Sequence, residues 1–197
     1  MRVLLLCTLL FGCMMSYAES AKSVLDKASA AVSKKSGVSA DFQLRSGQYE
    51  TDGTIAVKGT KFHATTPLAI VWFDGKTQWT YMKKNDEVNV SNPTEAELQA
   101  INPYNFINMY KKGYKYTLKT TGGSHVVHLT ATNKQRGVQE MYITVNKTTY
   151  VPTEVKMRQG SKWTTITIKN FKASPLSDNL FRFNSKDFPH AEVIDLR

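Results

Sequence analysis

From Val38 to Ile168 the apolar residues recur at every second position over long stretches, and that period commits a chain to antiparallel β-sheet. Val38, Ala40, Phe42 and Leu44 alternate with polar residues, and after a turn at Ser46-Gly47 so do Tyr49, Thr51, Ile55 and Val57. The pattern returns in the second half. Tyr114, Tyr116 and Leu118 share a face, as do Val127, Leu129 and Ala131, then Met141, Ile143 and Val145, then Val151, Val155 and Met157, then Thr164, Ile166 and Ile168. Turns are predicted at Gly122-Gly123, Arg136-Gly137, Asn146-Lys147 and Gln159-Gly160, giving about ten or eleven strands in all. A sheet that large curls or splits.

Two segments break the period. Ser20 to Lys35 places Val24, Leu25, Ala28, Ala31 and Val32 on one helical stripe with lysines opposite, and Gly37 is its predicted stop. Thr94 to Lys112 loses alternation: TEAEL reads as a helical turn, and Asn102-Pro103 opens a second short helix carrying Phe106, Ile107 and Tyr110. Between them lies LAIVWFDGKTQWTYM, residues 68–82, where Asp74-Gly75 predicts a two-residue type I′ hairpin. In that register Phe73 faces Lys76, Trp72 faces Thr77, Ile70 faces Trp79 and Leu68 faces Tyr81. Leu68, Ile70, Trp72, Trp79 and Tyr81 then share a face that something apolar must cover. A fully packed sandwich or barrel would satisfy this pattern, and so would a partly open barrel whose lining holds an apolar ligand.

Residues 1–18 have a secretory signal layout: Arg2, an apolar run from Val3 to Met15, and Ser16-Tyr17-Ala18, with cleavage expected after Ala18. Removing them takes away both cysteines and Arg2, so the net charge falls from +10 to +9 and residues 19–197 form one domain without thiols. In a competing reading Leu10-Phe11-Gly12-Cys13 is a lipobox and Cys13 is the acylated first residue. No catalytic pattern emerges. Gly75-Lys76-Thr77 resembles the end of a phosphate loop, but Ile70 stands where a glycine is required. His125 and His128 are three apart in a strand and point to opposite faces, and with only His63 and His190 besides they form no ligand cluster. The expectation is a protein that is not an enzyme and uses no cofactor or metal. The lysines occupy the polar phases of strands and helix, so no nucleic-acid partner is predicted.

Read in order, SADFQL, the Val57-Lys58 pair, DGKTQWTY (Asp74 to Tyr81), NPYNFI and the closing LFRFNSKDFPHAEVIDLR resemble the LolA family of periplasmic outer-membrane lipoprotein carriers. The resemblance implies an unclosed antiparallel β-barrel of about 11 strands with a helical lid enclosing an apolar cavity. It implies a monomeric periplasmic carrier, with lipidated proteins as cargo and an inner-membrane ABC transporter complex as donor, delivering to the outer membrane. The alternative is a membrane-anchored relative, held through Cys13, that acts as acceptor. Family members place a lid-binding arginine after the Val-Lys pair; here Gly59 follows, so that latch is absent or moved to Lys58 or Lys61. The expected acyl-chain lining is Phe42, Leu44, Tyr49, Ile55, Val57, Leu68, Ile70, Trp72, Trp79, Tyr81, Met141, Ile143, Ile166 and Ile168.

Overall fold

The computed structural model describes residues 19–94 and 109–197, so residues 1–18, Cys13 among them, and most of the expected central insert lie outside the described residues. Helix α1 (Ala21–Val32) comes first, capped by the Ser20 hydroxyl, which accepts from Ser23 N–H at 3.1 Å. It is shorter than its sequence period suggested, because the backbone leaves the helical conformation at the C-cap, Ser33. The strands are β1 (Val38–Ser46), β2 (Tyr49–Lys58), β3 (Lys61–Thr65), β4 (Ala69–Phe73), β5 (Gln78–Met82) and β6 (Glu87–Ser91), followed by β7 (Tyr114–Thr121), β8 (Ser124–Ala131), β9 (Glu140–Asn146), β10 (Pro152–Gln159), β11 (Lys162–Ala173) and β12 (Glu192–Asp195). They form one unclosed sheet in the order β12-β6-β5-β4-β3-β2-β1-β11-β10-β9-β8-β7. Among the described residues only the β12–β6 pair is parallel. The twelfth strand exceeds the predicted count, since EVID is too short to carry a readable alternation.

The predicted alternation sets the faces. Cross-strand partners run from Phe42 to Ile168, Leu44 to Ile166, Val155 to Ile143 and Val127 to Leu118, and all of these side chains lie on the side where α1 packs, here called the inner face. Val24, Leu25 and Ala28 of the helix are fully buried against Val127, Leu129, Met141, Ile143 and Val145. Each fully buried Val or Leu contributes about 1.5–3 kcal/mol, so this stripe fixes the helix on the sheet. Val32, one turn further on, packs instead with Val38, Ala40, Ile55, Val57, Phe62 and Phe73. The helix therefore spans two cores on a single sheet face.

At the join of these cores, Asn170 takes a left-handed φ of +50° and the register slips opposite Ala40, making a bulge. The Asn170 amide donates to Asp41 at 2.6 Å, a local bond of the kind that lets asparagine tolerate this conformation.

The hairpin register differs from the predicted one. Trp72 pairs with Trp79 and Ile70 with Tyr81, so the link is the four residues Asp74 to Thr77 rather than two. The reason is chemical: the Asp74 carboxylate accepts from the N–H groups of Lys76 and Thr77 at 3.0 and 2.9 Å, closing a wider loop than Asp-Gly alone would make. The slip is two residues, so no side chain changes face.

After β11 the chain becomes a strap. It runs beside Ser36 and Gly37, forms 3₁₀ turns at Asp178–Phe181 and Ser185–Asp187, and ends as β12 on the edge of β6. Phe183 and Phe188 lie on Trp72 with ring centroids 5.6 and 5.5 Å away, and Phe188 lies 4.6 Å from Tyr81. The strap thus covers the outer face of β4 and β5.

Candidate apolar binding site

The fourteen expected lining residues divide between the two faces. Phe42, Leu44, Ile55, Val57, Met141, Ile143, Ile166 and Ile168 are on the inner face, and Tyr49 shares its phase at the exposed start of β2. Ile70, Trp72, Trp79 and Tyr81 are on the outer face with Val88 and Val90, while Leu68 precedes β4 and is 58% exposed. The single shared lining expected from the hairpin is therefore corrected: its aromatic set packs beneath the strap, on the side away from α1. The inner face of the same strands carries Val71 and Phe73, which are absent from the expected lining.

On the inner face burial separates two kinds of residue. Ile55, Val57, Met141, Ile143 and Ile166 are closed core. Phe42 and Ile168 are only half-buried, and each packs against both cores; Leu44 is half-buried beside them. Val71 and Phe171 extend this strip on one side, and Met109, Tyr116 and Leu118 on the other. The strip is a seam of incompletely buried apolar side chains under the helix-bearing face.

The Phe42 ring lies over its cross-strand partner Gly53, where a Cβ would come 2.8 Å from the ring and 2.2 Å from Thr65 O. Only glycine leaves room for both.

Two polar ties hold α1 over this face. At its start the Glu19 carboxylate bonds Lys27 Nζ at 2.6 Å and the Tyr150 hydroxyl at 3.1 Å; Nε2 of the buried His125 lies 3.1 Å from it without hydrogen-bond geometry, while Thr120 Oγ1 lies 2.9 Å from the other ring nitrogen. The Lys27 ammonium is the largest of the influences holding the Glu19 carboxyl below its usual range. Further along, the Tyr110 hydroxyl donates to Asp26, which also pairs with Lys22 at 2.6 Å. Burial, and then the Asp26 carboxylate, push the Tyr110 phenol far above its ordinary value. Tyr110 is the one member of the predicted insert helix cluster among the described residues, and it is buried in the core with α1; Phe106 and Ile107 lie outside them.

The expected relocation of the latch has a partial answer. Lys58 Nζ donates to Leu176 O at 2.8 Å and meets Asp178 at 2.9 Å, and Lys61 meets the same carboxylate at 3.2 Å. Both lysines hold the strap. Gly59, at φ +61°, begins the two-residue turn between β2 and β3, and a Cβ there would face open space. That position ends a strand and turns the chain.

His125 and His128 do face opposite ways: the first is buried under α1, and the second stacks on Tyr142 outside. Among the described residues no group of three or more His, Cys, Asp or Glu side chains could hold a metal ion, and no helix is long and apolar enough to cross a membrane.

A sheet left open, a helix across one face and a half-buried apolar seam between them define the architecture to compare with known proteins. A family model described as outer membrane lipoprotein carrier protein LolA matches residues 11–161. The chain belongs to the LolA family. Among solved structures, an uncharacterized conserved protein from Thermus thermophilus is 14% identical, with 89% of this chain and 98% of that one covered and a TM-score of 0.62. That likeness shows the fold alone. A LolA superfamily protein from Nitrosomonas europaea is 12% identical over 84% of this chain and 99% of that one, with a TM-score of 0.46. LprF from Mycobacterium bovis is 10% identical over 80% and 96%, with a TM-score of 0.44. No curated protein matches the chain. The strap beyond residue 173 lies outside the family match.

Proposed function

We propose that this LolA-family protein is a binding protein, not an enzyme, that carries the acyl chains of lipoproteins across the periplasm to the outer membrane. The observation that carries the reading is the inner-face seam: Phe42 and Ile168 touch both cores, yet neither core closes over them. A chain of roughly 16 carbons is held in a bilayer by ~13 kcal/mol at about 0.8 kcal/mol per CH₂. A soluble carrier must offer apolar contact of comparable area while keeping release possible, and half-buried residues beside a helix tied by polar bonds suit that need. Cleavage after Ala18 would free the domain in the periplasm, with lipidated proteins as cargo and an inner-membrane ABC transporter complex as donor. The alternative, anchorage through Cys13, rests on the Leu10-Phe11-Gly12-Cys13 sequence.

Native mass spectrometry of the protein purified from its own envelope tests both readings. The carrier reading expects a mature chain starting at Glu19 that retains diacyl lipid or lipopeptide, with retention lost in Ile168→Glu and kept in Ile70→Glu. Retention unchanged in a folded Ile168→Glu protein would remove the seam from the site. Lipid mass at Cys13 would favour the anchored form.

A further inference from the structure

We propose that the free edge of β7 is a docking strand for an extended acidic segment of a partner protein. This interaction surface goes beyond the carrier reading and stands without it. β7 is the terminal strand of the sheet and pairs only with β8 among the described residues. It offers eight residues of edge, whereas β12 at the other end offers four. Such an edge presents alternate backbone N–H and C=O groups to any extended chain.

Its side chains specify the charge of that chain. Lys115, Thr117, Lys119 and Thr121 alternate along the outer face of β7 and all are exposed. Lys111 and Lys112, also exposed, add positive charge just ahead of the strand, with Lys111 acting on Asp26 of α1. None of these four lysines has an ion-pair partner among the described residues. The nearby carboxylate, Asp26, is bonded to Lys22 and Tyr110 and feels Lys111 only at longer range. Lysines on an edge strand can serve merely to discourage sheet-to-sheet pairing. That purpose accounts for Lys115 and Lys119, but it needs no Lys111 or Lys112, which lie beyond the strand. Positive charge continuing past the edge fits a ligand that runs past it too, with carboxylates opposite Lys115 and Lys119 as cross-strand partners. Docking here would also place the partner beside Met109 to Gly113, the segment whose Tyr110 is bonded to Asp26 of α1.

The test uses the ¹⁵N-labelled mature chain and three synthetic ten-residue probes: one alternating Glu and Thr, the same peptide N-methylated along one backbone edge, and one alternating Lys and Thr. The expected result is that the acidic peptide slows exchange of β7 amides, that added salt weakens it, and that the other two bind at least about tenfold more weakly. Lys115→Glu with Lys119→Glu should weaken the acidic peptide by about tenfold, since two attractive cross-strand pairs become repulsive. Equal binding of the N-methylated peptide would overturn strand addition in favour of simple charge adhesion. Self-association of a neutral Lys115→Thr, Lys119→Thr variant with unchanged peptide binding would assign the lysines to edge protection alone. Protection of the same amides by phosphatidylglycerol vesicles, with none by the peptide, would replace the protein partner with a membrane surface.

Discussion

Replacing Lys58 by methionine should release the C-terminal strap while leaving the sheet intact. The side chain is 29% exposed and makes two contacts with the strap, the bond to Leu176 O at 2.8 Å and the pair with Asp178 at 2.9 Å. A hydrogen bond from a charged donor contributes about 1.5–3 kcal/mol. The pair adds little, about 0–1 kcal/mol, because Asp178 is 61% exposed. A loss of about 2 kcal/mol raises the open population of the strap roughly 30-fold at 1.4 kcal/mol per decade. Hydrogen exchange read by mass spectrometry over residues 174–197 would show it, particularly at Leu196, whose N–H bonds Val90 O at 2.8 Å. Lys61→Met removes only one arm of the exposed pair and should accelerate exchange less than about fivefold. Unchanged exchange in Lys58→Met, or equal effects of the two changes, would refute the reasoning. Gly59→Arg is a different experiment: at φ +61° a side chain costs about 1–2 kcal/mol, and it would point into open space.

Three other outcomes follow from the geometry. Gly53→Ala should destabilise the protein by about 1–3 kcal/mol in urea denaturation, because the new methyl must displace Thr65 O or the Phe42 ring. Acid should loosen α1: the Glu19 and Asp26 carboxyls are held below their usual range, chiefly by hydrogen bonds from Lys27 and Lys22. Their stabilisation is complete above the unfolded carboxyl range near pH 4 and is lost as pH falls through the lowered folded values, so α1 amides should exchange faster at pH 3 than neutral-pH rates corrected for chemistry allow, and Glu19→Gln should mimic part of this at pH 7. Phe188→Ala, which removes contacts with Trp72, Tyr81 and Phe183, should free the strap and raise Trp72 accessibility to a quencher without weakening acyl-ligand binding.

Much of the fold was legible because one sheet face is apolar and the other wet over β7 to β11, where Val127, Leu129, Met141, Ile143 and Ile166 turned inward as their period demanded. The α1 stripe was equally clear, since Val24, Leu25, Ala28 and Val32 have few places to go except onto that face. Alternation does not assign faces where a strand is buried on both sides. Leu68 to Phe73 is a continuous apolar run, the mark of a doubly covered strand, and the larger aromatics drew attention to the outer phase. The inner phase could have been traced from Val57 across the tight Gly59-Thr60 turn to Phe62 and on to Phe73, because these residues are successive cross-strand partners. The strap carried a sequence resemblance without a structural role; its aromatic residues Phe181, Phe183 and Phe188 were the available signal that it covers something apolar.

Methyl-resolved NMR of residues 19–197, titrated with a lipopeptide bearing a chain of roughly 16 carbons, tests the binding claim most directly. The account predicts intermolecular contacts from the chain to the methyls of Leu44, Val71, Leu118 and Ile168 on the inner face, and none to Ile70, Val88 or Val90 beneath the strap. Contacts confined to Ile70, Val88 and Val90, or no saturable contacts at all, would contradict it.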